Sequence, residues 1–380
     1  MARLAQINPQ AAAILVIDAP GKFARHADQF IYREYRTVLD FMNRKLMIEG
    51  TKLHVFDSLD KYVRRYISDE NLRKILEYTI VFLGGTPKKS PAMYALMSHV
   101  DFNLGVWYPR GGMGILSEAF HKLAMEQGVK FKFNSEVDEV VVENGSAAGV
   151  RIGKELIESD IVISNADLPH SEMKLLDRKH QTYPEKYWKR KAIAPSCLLM
   201  FIGLNKRLEG LQHHNLYLSP QWDDHFEKIF DRPEWPKNPS YYVCCPSATD
   251  KTVAPEGCEN LFFLVPVAPG LRDGNEVRKE ISDNILDHFE GLIGERIRDS
   301  MIVMRIFSHR DFRSQYNAYE GTALGFAHTL KQTAVFRPSH YSKKVGNLYY
   351  TGQYAHPGIG VPMVVISSQI LAGEIVKEHG

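Results

Sequence analysis

Residues Tyr354 to Met363 read YAHPGIGVPM, a loop whose residue types suit close contact between backbone and a ligand. Gly358 and Gly360 permit positive φ and close approach, while Pro357 and Pro362 stiffen the turn. The stretch that follows, MVVISSQILAGEIV, places small residues along one helical face, and its N-terminus points back at the loop. Backbone N–H groups there are suited to stabilising negative charge, such as that on the N1/C2=O edge of a reduced flavin. The same residues also suit a plain helix cap with tight helix–sheet packing, because glycine pairs at helix starts are common.

Other clusters carry weaker chemistry. The segment WYPRGGMG, Trp107 to Gly114, approaches a dinucleotide fingerprint, but Ser117 stands where the third glycine belongs. It reads better as a loop that presents Arg110 and two aromatics to a pocket. HRDFRSQYNAYEGTALG, His309 to Gly325, is dense in polar residues and reads either as a functional turn region or as a solvated loop. The chain contains no GxxxxGK[ST], GxSxG or HExxH, so P-loop, serine-hydrolase and zincin chemistry lack their residues. His213-His214 and Cys244-Cys245 are adjacent pairs whose side chains are expected to point oppositely on a strand, so no metal site is expected.

The elements that must position these residues follow from periodicity. Ala27 to Tyr78 reads as helical, up to a break at LGGTPKKSPAMYAL. ILSEAFHKLAMEQG is an amphipathic helix closed by Gly128, VKFKFN alternates like a strand, and Asn144-Gly145 turns a hairpin. Asn144-Gly145-Ser146 also matches a glycosylation sequon, but the tight turn is the better reading. Ile161 to Ser164 is a buried-type strand. From Lys174 to about Ser339 the strands CLLMFIGL, YYVCC and NLFFLVPVAP alternate with Pro-rich loops and a helix over Val277 to Leu292. The chain then returns through NLYYTG to the sheet it left. The expected class is α/β with an α+β insertion, in which an incomplete Rossmann-like layer carries a larger inserted domain. The expected boundaries are 1–104, 105–173, 174–340 and 341–380.

The bulk numbers exclude some partners. With 47 basic against 45 acidic residues the chain has no strong pull toward nucleic acid. Its four cysteines form no CxxC pair, which favours a reducing, cytoplasmic setting. The apolar run Ala11 to Ile17 is far shorter than the ~20 residues of a membrane span.

In order along the chain, SLDKYVRRYISDENLRKILEYTIVFLGGTPKKSPAMYALM, GVWYPRGGMGILSEAFHKLA, VISNADLPH, FIGLN, LQHHNLY, CPSATDKTVAPEGCENLFFLVPVAP, DFRSQYNAYEGTALG, FRPSH and NLYYTGQYAHPGIGVPMVVISS resemble the bacterial and archaeal phytoene desaturases of the flavoprotein amine-oxidase-like superfamily. The resemblance implies FAD as cofactor and a hydrophobic, phytoene-like polyene as substrate. By it, Gly352, Gln353, His356, Pro357, Gly358, Gly360, Val361, Pro362 and Met363 would line the flavin ribityl and ring. Val137 would meet the adenine, and Asn165, Ala166 and Asp167 would lie beside the cofactor. Arg110 and Arg313 match arginines that face substrate or flavin.

The sequence also departs from that family. Its members begin with a glycine-rich βαβ unit that cradles the FAD pyrophosphate, and AAAILVIDAPGKFARH offers only Gly21 and no GxGxxG. The chain is therefore expected to be N-terminally truncated relative to the family, through a late start site, a split gene or a degenerate copy, with impaired FAD binding. Two other functions stay open: a non-catalytic polyene or lipid carrier, and a superfamily oxidoreductase acting on another polyene or a retinoid. A polyene substrate implies work at a membrane surface, to which the basic, aromatic stretch Arg33 to Arg65 is suited if it is not simply a helix pair with a solvated face. A homo-oligomer is compatible with all of these.

Overall fold

The computed structural model describes residue 32 and residues 57–380. The expectations for Ala11 to Ile17, for the helical stretch before Asp57 and for most of Arg33 to Arg65 lie outside the described residues.

The described chain opens with two short helices, α1 (Leu59–Arg64) and α2 (Glu70–Glu77). Ser58 and Asp69 cap them by accepting from Lys61 N and Leu72 N, so one long helix is not formed there. Leu59, Val63, Leu72 and Leu76 pack with Ile80 and Leu83 into a helical cluster. After the loop around Arg110 comes α3 (Gly114–Glu126), followed by Gly128 at φ 84°. This helix buries none of its residues, and Phe120, Leu123 and Met125 on it are exposed, as are Phe131 and Phe133 beyond it.

Next, β1 (Glu139–Glu143), β2 (Ser146–Ile152) and β3 (Glu155–Glu158) form an antiparallel sheet. Asn144 and Gly145 turn the first hairpin with φ of 50° and 82°, as the sequence predicts. Two expectations fail here. VKFKFN is not a strand, because its alternation has no neighbouring strand to pair with among the described residues. The hairpin belongs to this separate sheet and not to the parallel one.

The parallel layer is formed by β4 (Val162–Ser164), which runs into α4 (Leu168–Lys174), and by a strand from the chain's far end. Between them lies a five-stranded antiparallel sheet. Its members are β5 (Ser196–Leu204), β6 (His214–Tyr217), β7 (Tyr241–Cys244), β8 (Glu259–Val267) and β9 (Met301–Phe307), in the order β6-β7-β8-β5-β9. Helix α5 (Trp222–Phe230) connects β6 to β7, and α6 (Asn275–Ile293) follows β8. Strand alternation sends Leu198, Met200, Ile202, Phe263 and Val265 to one face, where Ile281, Ile285, Leu286 and Phe289 of α6 cover them. Burial of each such side chain contributes roughly 1.5–3 kcal/mol, so this is the principal core of the inserted segment.

The opposite face of the same sheet is apolar and only half buried. Phe201, Phe262 and Arg305 stand in one cross-strand row, and Leu199, Leu264 and Tyr242 in the next. Phe201 is exposed, and Leu199, Phe262 and Leu264 are intermediate.

After β9 the polar stretch beginning at His309 is a helix, α7 (His309–Tyr316), and not the solvated loop that its composition also allowed. Ser308 and Asp311 form a capping box, and His309 is fully buried with Nε2 2.7 Å from the Ala268 carbonyl. The chain returns through β10 (Leu348–Tyr350), parallel to β4, and ends in α8 (Val361–His379).

Candidate functional site

The parallel pairing of β4 with β10 sets the site. Leu348, Tyr349 and Tyr350 stand opposite Val162, Ile163 and Ser164, so both strands deliver their following loops to one end. There Gly352, with φ 110°, abuts Asn165 so closely that a Cβ on it would lie 2.7 Å from Asn165 Oδ1. Asn165 and Ala166 are exposed at this end and Gln353 is partly buried.

Asp167, next along this strand end, is held by the fold on both of its oxygens. It is buried and caps α4 by accepting from His170 N at 3.2 Å. Its other oxygen accepts from Tyr354 Oη at 2.7 Å and from Tyr319 N at 3.3 Å. Burial raises its carboxyl to about 6, against the opposing pull of those hydrogen bonds. Asp167 therefore ties the two loops together.

Beyond Tyr354 the loop is fixed from beneath. Arg337 is buried and donates to the carbonyls of Ala355 at 3.1 Å, Gln353 at 2.6 Å, Gln332 at 3.3 Å and Phe326 at 3.3 Å. Its guanidinium also lies over the Phe326 ring at 5.2 Å. Burial lowers it to about 10. His328, also buried, has Nδ1 2.9 Å from Tyr94 Oη and accepts weakly from Ile359 N at 3.4 Å. Burial, with Arg337 and His356 nearby, keeps it neutral. Neither residue was singled out from the sequence by its chemistry, although Arg337 sits in FRPSH, one of the segments that carry the resemblance.

His356, Pro357 and Gly358 are buried, and the His356-Pro357 peptide is cis. Gly358 has φ 130°, and a Cβ there would fall 2.3 Å from His328 Nε2. Gly360 differs: it is exposed, has φ 109°, and a Cβ on it would meet nothing within 4 Å. It is the N-cap of α8, and Val361 and Pro362 beside it are exposed while Met363 is partly buried. Pro362 has no N–H and Val364 N bonds to the Gly360 carbonyl at 2.9 Å, so Val361 and Met363 supply the N–H groups that the first turn of α8 leaves without an acceptor in the helix. The residues thus fit a planar, electron-rich ring edge laid against the helix N-terminus, which is what a flavin presents.

The remaining expected residues stand on other elements. Val137 is partly buried and packs on the hydrophobic cluster under the β1-β2 hairpin. Arg110 is exposed on its turn, where the next residue, Gly111, donates N–H to Asp250 Oδ2 at 2.6 Å. Arg313 is about half exposed and pairs with Glu320 at 3.7 Å. The expectation that His213 and His214 diverge is wrong, because His213 precedes β6 and its ring lies 4.3 Å from that of His214.

Comparison with known proteins shows the chain's family. The family model of the flavin containing amine oxidoreductases matches residues 4–376. The carotenoid 3,4-desaturase of Haloarcula japonica is 41% identical over 352 residues, covering 92% of this chain and 71% of that protein. The zeta-carotene-forming phytoene desaturase of Myxococcus xanthus is 30% identical over 379 residues, covering 94% of this chain and 72% of that protein. Among solved structures, an oxidoreductase of Methanosarcina mazei matches with a TM-score of 0.57 at 18% identity, covering 89% of this chain and 73% of that one, which supports the α/β fold. The chain belongs to the flavin-containing amine oxidoreductase family.

Proposed function

We propose that the protein is an FAD-dependent carotenoid desaturase that introduces double bonds into a phytoene-like polyene. The observation that carries this reading is the apolar sheet face and its connection to the glycine loop. Strand β5 enters the sheet from Ala194, which packs with Ala327 and with Ile359 of that loop. Further along β5 and on its neighbour β8, Leu199, Phe201, Phe262 and Leu264 form a half-buried apolar surface. A long hydrocarbon suits such a surface better than a small amine does. The relatives named carotenoid and phytoene desaturases support the same substrate class.

Desaturation removes two hydrogens from an allylic CH–CH unit with no carbonyl to acidify either proton. When bound, flavin supplies the hydride acceptor that such a bond requires. Gly352, Gln353, Gly360, Val361 and Met363 would hold the ring, and the N–H groups at the start of α8 would favour negative charge on it. The sheet face orients the polyene and excludes water. Arg110 and Arg313 act at the substrate's path, and Asn165 and Ala166 border the cofactor.

Two further parts of this reading concern the cofactor and the membrane. The chain has no GxGxxG, the motif by which the family it resembles cradles the FAD pyrophosphate, so it retains FAD weakly. A water-insoluble polyene places the protein peripherally at a membrane, and no helix among the described residues is long and apolar enough to cross one. The division at 1–104, 105–173, 174–340 and 341–380 assigns the second and fourth segments to the cofactor and the others to substrate. Flavin stoichiometry on the purified chain tests the retention: a yellow protein with one tightly held FAD contradicts it, and a colourless protein that takes up FAD only in large excess agrees with it.

A further inference from the structure

Two histidines and a cysteine converge at the edge of the five-stranded sheet. His214 opens β6 and Cys244 closes β7, and the two are register partners, so their side chains leave the sheet on one face. His213 precedes the strand, and its carbonyl accepts from Cys245 N at 2.8 Å. One ring nitrogen of His213, one of His214 and the Cys244 Sγ lie within 4.8 Å of one another.

In both histidines Nδ1 has a hydroxyl partner. His213 Nδ1 lies 2.6 Å from Thr249 Oγ1, and His214 Nδ1 lies 2.6 Å from Tyr242 Oη. With Nδ1 donating to these oxygens, each Nε2 carries the free lone pair. His213 Nε2 is buried and has no hydrogen-bond partner. A buried, unsatisfied polar atom is costly, and a cation at this point would satisfy it. The Tyr108 ring, 4.5 Å from that of His213, covers one side.

We propose that His213, His214 and Cys244 form a binding site for one Zn²⁺ ion, through two imidazole Nε2 atoms and a thiolate, with a fourth position open. Two imidazoles and a thiolate form a borderline-soft donor set that suits Zn²⁺. Tetrahedral bonds of the usual length separate ligand atoms by about 3.3–3.8 Å, so closing on the ion takes a contraction of roughly 1 Å, within reach of side-chain rotation. The Cys244 thiol loses its proton to solvent on binding, so affinity rises with pH. Zn²⁺ carries no redox chemistry and adds no step to desaturation; it fastens the short edge strand β6 onto β7. The site does not depend on the desaturase reading.

The test uses the purified full chain, stripped with a chelator and titrated with Co²⁺ as a spectroscopic probe and then with Zn²⁺. The expected result is one equivalent of Co²⁺ giving a thiolate-to-cobalt charge-transfer band and tetrahedral ligand-field absorption, both erased by Zn²⁺. Cys244→Ser abolishes the charge-transfer band, Thr249→Val weakens binding roughly tenfold or more by freeing the His213 ring, and Cys258→Ser changes nothing. If Cys244→Ser does not fold, His214→Gln on the edge strand serves in its place and lowers affinity by at least as much as Thr249→Val. No charge-transfer band in the wild-type chain at stoichiometric cobalt overturns the proposal. So does a band that survives Cys244→Ser or disappears in Cys258→Ser.

Discussion

Tyr354 donates its phenol to the buried Asp167 carboxylate at 2.7 Å, and this one bond joins the end of β4 to the loop that follows β10. Both partners are displaced from their ordinary ionisation: burial raises Asp167 to about 6, and burial with the adjacent carboxyl raises Tyr354. Tyr354→Phe leaves that carboxylate oxygen with the Tyr319 N–H alone. The expected cost is about 1–3 kcal/mol of unfolding free energy, the penalty of an under-satisfied buried polar group. Urea denaturation measures it, and a variant as stable as the wild type would show that the bond is not holding the loops.

The two loop glycines should respond differently to a methyl group. Gly358→Ala drives a Cβ to 2.3 Å from His328 Nε2 at a positive φ, so it should destabilise by more than about 2 kcal/mol. Gly360→Ala meets open space and bears only the backbone strain, about 1 kcal/mol. Its larger effect should be on flavin, because the new methyl projects at the N-terminus of α8. Thermal melts with and without added FAD separate the two outcomes; equal destabilisation by both alanines would contradict the geometry.

Glu77 should make stability depend on pH. Its carboxyl is buried among Asp60, Arg64, Arg73 and Asp223, and burial raises it to about 7 from an ordinary 4.5. The folded state then binds more protons than the unfolded state between about pH 4.5 and 7. Stability contributed by the protonated acid is therefore present at low pH and is lost as pH rises through that window. Glu77→Gln removes the dependence, so its melting temperature relative to wild type should be higher at pH 8 than at pH 5. A difference that stays constant across that range would rule out the burial of a protonated acid here.

The two faces of the central sheet predict opposite phenotypes. Phe263→Ser opens the face under α6 and should cost about 3 kcal/mol or more in stability, from lost burial and a cavity. Phe262→Ser, its neighbour on the half-buried face, should cost under about 1.5 kcal/mol while lowering polyene turnover severalfold. Comparing urea midpoints with product formation checks this. A Phe262→Ser variant with full turnover would remove the sheet face from the substrate's path.

How far the sequence reveals this architecture depends on which signals are local. The hairpin at Asn144-Gly145, the long helix after β8 and the glycine loop are legible because propensity, turn chemistry and periodicity lie within a few residues. VKFKFN misleads because alternation describes a strand's faces and says nothing about whether a partner lies alongside. The helix at His309 is hidden by its polarity and betrayed only by the Ser308–Asp311 capping pair. Asp167 and Arg337 show the deeper limit. Their partners are Tyr354 and the carbonyls of Phe326, Gln332, Gln353 and Ala355, and only the fold brings Asp167 to Tyr354 across 187 positions. The convergence of His213 and His214 with Cys244 is likewise a property of strand register and of one residue outside the strand.

The central claim is tested most directly by supplying the purified chain with excess FAD and phytoene-containing liposomes under an electron acceptor, and recording the extracted pigment's absorption spectrum. The account predicts a shift to longer wavelength with resolved polyene bands, dependent on FAD and diminished in Phe262→Ser. Unchanged phytoene at saturating FAD, together with undiminished binding of the polyene, would contradict it and identify the protein as a carrier.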